Sequence, residues 1–270
     1  DCLTRHGVTV PFSCRNGICQ TCLVRATKGK PTEAAQKDLK PTLAVQHYFL
    51  ACLCRPQQDL EIALASEDVS PRFSAQVMAK LALNHNIMRI TLKIDVSFIF
   101  DLHVRRFANG RVSSWLHDII KVGDQLKLSG PLGNSFYIQG NSQQSILLVG
   151  TGSGLAPLWG ILHDALNQGH QGPLYLFHGA RNSADLYLVD ELRALTQNHA
   201  NVRYFPCLSS SDTPTGYTAG RADDIALAQC PQLRDWRVYL CGNPDMVTKM
   251  KRKTFLAGAS LKEIFADPFV

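Results

Sequence analysis

Three cysteines near the start of the chain follow the spacing C-x4-C-x2-C, and a fourth cysteine lies well downstream. The three are Cys14, Cys19 and Cys22, and the fourth is Cys52. This spacing is the ligand pattern of a plant-type [2Fe–2S] cluster, in which four thiolates hold two irons. One tight loop can wrap three thiolates around the cluster, and a distant strand then supplies the fourth. We therefore predict that these four cysteines are metal ligands.

Zinc binding and disulfide formation are the alternative uses of these cysteines. A zinc site favours two C-x2-C pairs, whereas this sequence has one such pair and a four-residue gap. Cys54 also competes with Cys52 as the fourth ligand. Cys52 stands four residues before Pro56, which is similar to the closing strand of plant-type ferredoxins and favours Cys52. Cys54 is then expected to be a small buried hydrophobe or a thiol just outside the cluster.

The overall composition limits the class of protein. A chain of 270 residues has room for two or three domains, each with its own core. The net charge of +6 is mild and no block of like charges occurs, which argues against a nucleic-acid partner. No apolar run approaches the roughly 20 residues that span a bilayer. Nine cysteines, four of them assigned to iron, favour a reducing cytoplasm over a disulfide framework.

The first segment, residues 1–66, is the predicted cluster module. Residues 1–7 are typical of a helix end with Gly7 as its C-cap, and strands are expected at 21–26, 48–52 and 60–64. Residues 66–71 are polar and contain a proline, as a linker would.

Two further segments differ in the periodicity of their apolar residues. Residues 72–138 contain short alternating stretches, which predict an antiparallel β-barrel. Residues 139–270 begin with a continuous apolar strand and then alternate strands with helices, which predicts a doubly wound α/β domain around a parallel sheet. The expected fold class is therefore α+β, with several domains.

A glycine-rich loop at 150–154 joins the first strand of the third segment to a helix. Glycines let the backbone approach a pyrophosphate, and a helix N-terminus adds N–H donors. Such a turn is weak evidence when taken alone. Support comes from Cys241-Gly242-Asn243-Pro244 at the end of a later strand, because open parallel sheets bind ligands at the carboxyl ends of their strands.

With these motifs in this order, nearly the whole chain resembles the ferredoxin–NADP⁺ reductase superfamily. More narrowly, it is similar to the reductase components of bacterial aromatic-ring oxygenases that carry an N-terminal plant-type ferredoxin domain. The resemblance implies a [2Fe–2S] cluster, FAD and NADH as cofactors, and an oxygenase or similar redox protein as the electron-accepting partner. The family begins with a β-hairpin that is missing before residue 1, so we expect a fragment or an incomplete module.

The resemblance also implies which residues contact the nicotinamide cofactor. Cys241 is placed beside the nicotinamide as the catalytic candidate, with a buried core thiol as the alternative. The implied cofactor-binding residues are Gly150, Thr151, Gly152, Gly154, Pro157, Gly179, Arg181, Gly242 and Pro244. NADH is favoured over NADPH, because no basic residue follows Leu208 in the serine run at 209–211.

The flavin site is where the sequence departs from the family. Family members carry an Arg-x-Tyr-Ser motif that this chain lacks, and the strands around it are missing near residues 95–97. The residues that still match a flavin phosphate site are Val104, Arg105, Gly110, Val112 and Ser113. A simple helix N-cap is an equal alternative for Ser113. We expect an incomplete barrel that binds FAD weakly or not at all.

Three functions compete at this stage. The first is an NADH-dependent reductase that uses flavin to convert a two-electron donor into single electrons for the cluster. The second is a flavin-free one-electron carrier, and the third is a non-functional product of an internal deletion.

Phe269 either folds back onto a cofactor or belongs to a frayed end, and the frayed end is the prediction.

Overall fold

The computed structural model describes residues 2–5, 7–17, 19–37, 39–64, 72–94, 98–130 and 133–269. The chain divides into two compact units, Asp1–Pro71 with Pro131–Asn134 and Arg72–Gly130 with Ser135–Val270. The predicted linker at 66–71 and the predicted deletion point at 95–97 lie outside the described residues.

The first unit contains an antiparallel sheet of three strands together with short helices. Its elements are α1 (Cys2–Arg5), β1 (Leu23–Lys28), α2 (Glu33–Gln36), α3 (Pro41–Val45), β2 (Tyr48–Leu50) and β3 (Glu61–Leu64). The strand order is β2-β1-β3, so β1 is the central strand. Its alternate side chains Val24 and Ala26 are buried in a cluster with Phe49. Leu23 pairs with Leu50, and the Ala51 amide donates to the Cys22 carbonyl at 3.0 Å, so Cys22 and Cys52 meet at one end of this pair.

The second unit begins with a four-stranded antiparallel sheet in the order β6-β5-β4-β7. Its elements are β4 (Arg72–Ala82), β5 (Ile87–Lys93), β6 (Ile99–Arg105), α4 (Arg111–Ser114), a π-helical turn (Trp115–Ile119) and β7 (Gln125–Ser129). Alternate residues such as Val77, Ile90 and Leu92 are fully buried, and Leu116 and Ile120 cover them. The predicted antiparallel sheet is confirmed, with β6 paired directly to β5 along its whole length.

The remainder of the second unit is a six-stranded parallel sheet in the order β11-β10-β9-β8-β12-β13. Its strands are β8 (Ile146–Thr151), β9 (Leu174–Ala180), β10 (Val202–Leu208), β11 (Thr218–Ala219), β12 (Arg237–Gly242) and β13 (Ile264–Pro268). Its α-helices are α5 (Leu155–Asn167), α6 (Val189–Asn198), α7 (Ala222–Gln229) and α8 (Pro244–Leu256). Short 3₁₀ turns lie at Gly152–Gly154, Ser183–Asp185 and Leu261–Glu263.

Helices cover both faces of this parallel sheet, as the doubly wound prediction requires. Alternate residues of β8 point to opposite faces: Leu148 packs with residues of α5 and α6, and Leu147 with residues of α7 and α8. The carboxyl ends of all six parallel strands lie along one edge of the sheet. Three of these elements, β11, α7 and β13, were not predicted from the sequence. In the described part of the chain, no helix is both long and apolar enough to cross a membrane.

Candidate functional site

The cysteine loop brings two of the predicted ligands face to face. The Cys19 amide donates to Sγ of Cys14 at 3.3 Å, and the Cys14 amide lies 3.5 Å from Sγ of Cys19. Hydrogen bonds from Thr21 and from the Cys14 backbone lower the pKa of the exposed Cys19 thiol to about 6. Because backbone N–H groups favour a thiolate over a thiol, the loop suits metal-bound sulfur.

Left-handed backbone conformations turn this loop tightly. Arg15, Gly17 and Gln20 have φ values of 54°, 87° and 57°. Gly17 is buried, and a Cβ added there would lie 2.6 Å from Cδ1 of Leu53. The positive φ at residue 17 favours glycine, and the Leu53 side chain from the turn after β2 packs against it.

Cys22 and Cys52 form the second pair of predicted ligands. The two thiols are hydrogen-bonded to each other, and burial, followed by this bond, raises the pKa of Cys52. Both residues pack in one apolar cluster around Leu50, whereas Cys54 packs in a separate cluster with Val24 and Phe49. This placement favours Cys52 over Cys54 as the fourth ligand.

The four predicted ligands lie in two pairs, Cys14 with Cys19 and Cys22 with Cys52. Within the described ranges, no group of three or more His, Cys, Asp and Glu side chains is arranged around a single metal ion. In a [2Fe–2S] cluster four thiolates are shared between two irons, so close pairs are the expected geometry. The pairs Cys14–Cys19 and Cys22–Cys52 fit that geometry.

The glycine loop after β8 lies against the end of β12. A Cβ added to Gly154 would lie 2.5 Å from the Cys241 carbonyl oxygen, and one on Gly242 would collide with the Thr151 carbonyl. The Asn243 amide donates to Oγ1 of Thr151 at 3.0 Å, which ties the two loops together. These contacts require glycine, and they leave the backbone of both loops at the carboxyl edge of the sheet.

Gly179 and the two predicted prolines lie at this same edge. Gly179 pairs with Thr151 in the adjacent strand, and its missing Cβ leaves room for Ala222 of α7. Pro157 lies in the first turn of α5, and Pro244 occupies the first turn of α8, whose N-cap is Asn243. Prolines suit these positions because the first turn of a helix has N–H groups without helical partners.

Arg105 was predicted to serve a flavin phosphate, and the structure places it beside the glycine loop that follows β8. Its Nη1 atom lies 3.7 Å from the position that a Cβ on Gly152 would occupy. Arg105 is the last residue of β6, so the antiparallel sheet supplies a positive charge to the loop at the end of β8. This neighbour could not be found from sequence, because the two residues belong to different sheets.

The Cys241 thiol is buried in the core of the parallel sheet. It is 0% exposed and packs in the cluster that contains Leu148 and Leu155. Burial, with a smaller contribution from the Asp267 carboxylate, raises the pKa of Cys241 far above its ordinary value. The thiol is therefore neutral at physiological pH, and its side chain forms part of the core that supports the loop edge.

The predicted flavin residues are partly used by the protein itself. Oγ of Ser113 donates to the Gly110 carbonyl at 3.3 Å and accepts from the Phe107 amide at 3.2 Å. The Val112 side chain is 68% exposed. Ser113 is the third residue of α4, whose N-cap is Gly110, so the N-cap alternative for Ser113 is wrong. Its hydroxyl instead orders the turn that precedes the helix.

Phe269 is hydrogen-bonded beside β12, so the predicted fraying at this residue is wrong. The Phe269 amide donates to the Gly242 carbonyl at 2.8 Å, which continues the parallel pairing of β13 with β12. A terminal strand paired with a central strand has its backbone hydrogen bonds satisfied and does not fray.

A buried histidine lies under the glycine loop. His178 pairs with Gly150 across the β8–β9 ladder, is 0% exposed, and its Nδ1 lies 3.3 Å from the Tyr204 hydroxyl. Its Nε2 has no hydrogen-bond partner among the described atoms. Burial lowers the pKa of His178 to about 3, and burial also lowers the pKa of His103, beside Tyr187, to about 4.

We expect the second unit to lose stability as the pH falls below about 6.5, because His178 binds a proton in the unfolded state but not in the folded state. For one such group the free energy of unfolding falls by about 1.4 kcal/mol per pH unit. The chain's tryptophans Trp115, Trp159 and Trp236 all lie in this unit, so urea unfolding followed by their fluorescence measures the loss.

The variant His178→Asn should flatten this dependence between pH 6.5 and 5 by about 2 kcal/mol. The partly exposed His199, changed to Asn, is the control and should leave the slope unchanged. An identical slope in the His178 variant and the parent chain would contradict the assignment.

We expect Gly152→Val to weaken NADH binding. Gly152 has a φ of 55°, which a β-branched residue adopts only with strain, and the added side chain would project toward Arg105 where phosphate is expected. The predicted loss is about tenfold or more, measured as the dissociation constant of NADH by fluorescence titration.

Gly160→Val is the matched control, because a Cβ at Gly160 has nothing within 4 Å. The visible spectrum of the cluster should be the same in both variants, since the cysteines belong to the first unit. Unchanged NADH affinity in a folded Gly152→Val protein would remove this loop from the site.

Three domain families match successive parts of the chain. A 2Fe-2S iron-sulfur cluster binding domain matches residues 1–57, an oxidoreductase FAD-binding domain matches 77–137, and an oxidoreductase NAD-binding domain matches 148–252. Their order is the order of the three sheets described above.

Curated relatives align over nearly the whole chain. The Phenol hydroxylase P5 protein of Acinetobacter pittii is 31% identical over 291 aligned positions, covering 92% of this chain and 82% of that protein. The reductase component of the naphthalene 1,2-dioxygenase system of Pseudomonas putida, a ferredoxin–NAD(P)⁺ reductase, is 28% identical over 301 positions. That alignment covers 99% of this chain and 92% of the relative. Because 301 exceeds 270, it includes positions for which this chain has no residue.

Solved structures superpose on nearly the whole chain. The cytochrome P450 reductase GcoB of Amycolatopsis superposes with a TM-score of 0.69 at 26% identity, covering 99% of this chain and 92% of that one. The ferredoxin reductase of carbazole 1,9a-dioxygenase superposes with a TM-score of 0.65 at 23% identity, covering 99% and 92% of the two chains.

Proposed function

This chain belongs to the reductase components of oxygenase systems within the ferredoxin–NADP⁺ reductase superfamily, and from that membership we propose that it passes electrons from NADH, through FAD and a [2Fe–2S] cluster, to an oxygenase or similar redox protein. The relatives' names describe reductases of dioxygenases and hydroxylases. The substrate that is oxidised is bound by the oxygenase and not by this chain, so the proposal names neither the oxygenase nor its substrate.

Residues 1–66 act as the ferredoxin domain in this proposal. Cys14, Cys19, Cys22 and Cys52 hold the cluster, which accepts one electron at a time. The support is the pairing of their thiols and the backbone amides that face them. The described cysteine thiols are free, which fits a reducing compartment, so we also propose a cytoplasmic location.

Residues 139–270 act as the nicotinamide-binding domain. The backbone of the loop at 150–154 and the N-terminus of the 13-residue helix α5 bind the pyrophosphate, because both offer N–H donors and partial positive charge. Arg105 adds a full positive charge beside Gly152. Gly179, Arg181, Gly242 and Pro244 line the same edge, and Cys241 supports it from below.

Residues 72–138 act as the FAD-binding domain, in incomplete form. FAD supplies the conversion of one two-electron donor into two single-electron transfers. The turn from Gly110 to Ser113, with Val104 and Arg105 at the end of β6, fits the phosphate end of FAD. The sequence lacks the residues that would hold the ring end, so we propose a dissociable cofactor.

One observation carries the proposal: the neighbouring strands β9, β8 and β12 bring their glycine-containing ends together at a single edge of the sheet, which is where open parallel sheets bind a dinucleotide. The test is an anaerobic visible spectrum of the reconstituted protein, recorded before and after adding NADH, with and without FAD. We expect NADH to bleach the cluster absorption when FAD is present and to do so slowly when it is absent.

The same experiment separates the competing functions. A one-electron carrier would be bleached by dithionite and not by NADH, even with excess FAD. A non-functional deletion product would still take up a cluster, because the cysteines belong to the first unit, but it would not bind NADH. Either result would contradict the reductase function.

A further inference from the structure

One edge of the antiparallel sheet is open. The strand order β6-β5-β4-β7 gives β6 one neighbour, so within the described part of the chain its outer side has no strand partner. The Ile94 amide donates to the Phe98 carbonyl at 3.0 Å. At the other end of the same pair of strands, the Arg106 amide donates to the Asn86 carbonyl at 2.8 Å. Because hydrogen-bonded pairs alternate along an antiparallel ladder, the even-numbered residues of β6 bond to β5 and the odd-numbered residues direct their N–H and C=O groups outward.

The outward backbone groups form a row along β6. An exposed row of this kind is a template for a strand from another chain, and proteins commonly protect it with a lysine, a proline or a bulge. The sequence of β6 contains neither lysine nor proline, and its pairing with β5 runs without a register shift. The residues that supply the row are Ile99, Asp101, His103 and Arg105.

Exposed apolar side chains lie beside this edge. Ile99 at the start of β6 is 58% exposed, and Phe107, two residues beyond its end, is 52% exposed. The helical segment that follows packs against the same strand, because Nε2 of His117 lies 2.8 Å from the Val104 carbonyl oxygen. Apolar groups concentrated in one surface region are typical of an interaction site. The exposed apolar residues of that helical segment are Val112, Trp115 and Ile119.

The order of charges along β6 favours a second copy of the same strand as the partner. Two copies related by a two-fold axis pair antiparallel, and the residue at the axis defines the register. With His103 at the axis, Asp101 of each copy lies directly opposite Arg105 of the other, on the same face of the sheet. An axis at Asp101 would place two aspartates opposite each other. An axis at Leu102 would place Ile99 opposite Arg105, so only the register centred on His103 pairs opposite charges and leaves no like charges opposed.

The charged groups of this register are available for a partner. The Thr91 hydroxyl donates to Oδ1 of Asp101 at 2.6 Å, whereas Oδ2 has only a long contact of 3.9 Å with Nε of Arg89. The Asp101 side chain is 39% exposed. Arg105 forms no ion pair with any residue that the structure describes. Burial lowers the pKa of His103 to about 4, so two histidines at the axis carry no charge at neutral pH.

We propose that the chain forms a two-fold dimer in which β6 of one copy pairs antiparallel with β6 of the other. The two four-stranded sheets then form one continuous sheet. The pairs 101–105, 103–103 and 105–101 exchange about six backbone hydrogen bonds, and two Asp101–Arg105 ion pairs fix the register. This dimer does not depend on the proposed electron-transfer function.

Sedimentation velocity on the intact chain, reconstituted with its cluster and run over a range of concentrations, tests the proposal. We expect a species of about twice the 29.8 kDa chain mass. Asp101→Arg and Arg105→Asp each place like charges opposite each other twice, and each should weaken the dimer by about tenfold or more. The double variant Asp101→Arg/Arg105→Asp restores both ion pairs with their signs exchanged and should recover the dimer. Circular dichroism of each variant shows that the fold is retained.

Lys127→Asp is the matched control, because Lys127 is an exposed residue of β7, the strand at the opposite edge of the same sheet. This charge reversal should leave the dimer unchanged. Deuterium uptake by the peptide that covers β6 should fall as the parent chain is concentrated, because the outward amides become hydrogen-bonded.

A parent chain that stays monomeric at all concentrations would overturn the proposal. A dimer that survives both single reversals would do so too, as would one that the double variant fails to restore. Loss of the dimer in the Lys127 variant would place the contact at β7 and not at β6.

Discussion

Cys52→Ser is expected to abolish the visible absorption of the iron–sulfur cluster, whereas Cys54→Ser is expected to leave it in place. Cys52 lies in the apolar cluster that also contains Cys22 and is hydrogen-bonded to that thiol. Cys54 packs instead beside Val24 and Phe49. Losing one of four thiolates leaves one iron with an incomplete ligand set, and the cluster then falls apart.

The measurement is bound iron per chain together with the visible spectrum after anaerobic reconstitution. The parent chain and the Cys54 variant should each hold about two irons, and the Cys52 variant should hold close to none. The Cys54 substitution is the matched control, because it removes a thiol from the same short segment. If the two variants behaved the other way round, the fourth ligand would be Cys54.

The chain is expected to purify with its cluster and without stoichiometric FAD. In the antiparallel sheet β5 pairs directly with β6. The pairing runs from Ile87 opposite Arg105 to Lys93 opposite Ile99. The Ile94 amide donates to the Phe98 carbonyl at 3.0 Å, so the two strands are joined by residues 95–97, which lie outside the described part. The Arg-x-Tyr-Ser segment that the family resemblance implies is missing from the sequence at this point.

The expected loss of FAD affinity is large because contacts to the flavin ring are missing. One stacked aromatic ring contributes about 0.5–1.5 kcal/mol beyond its buried area, and about 1.4 kcal/mol is a tenfold change in affinity. The lost arginine, hydroxyl and backbone contacts add to this, so we expect a decrease of roughly a hundredfold or more relative to family members. The turn at Gly110–Ser113, which we propose for the FAD phosphates, is expected to provide the remaining affinity.

Flavin released by heat and quantified by fluorescence tests this expectation. Inserting a family-like segment between Ile94 and Phe98 should restore both bound FAD and the rate of cluster reduction by NADH. A scrambled insert of equal length is the control and should restore neither. One tightly bound FAD in the parent chain would show that the four-stranded sheet is sufficient.

The residues of local motifs were predictable from sequence, because their chemistry depends on neighbours a few positions away. The cysteine loop is one example, since its spacing and the glycine at 17 together bring Cys14 beside Cys19. The loop at 150–154 is another, because an apolar strand, a glycine turn and a helix follow one another without interruption. The two kinds of sheet were predictable because each strand shows its type in its own sequence. Alternating apolar residues predicted the antiparallel sheet, and a continuous apolar run predicted the parallel sheet.

Tertiary structure alone decided which of these motifs share a surface. The strand β11 joins the parallel sheet through two residues, which are too few to show any period. Phe269 is ordered because β13 pairs with β12, and Arg105 meets Gly152 because one sheet packs against the other. Short and terminal strands gain their stability from partners that are remote in sequence, so no local pattern records where they will lie.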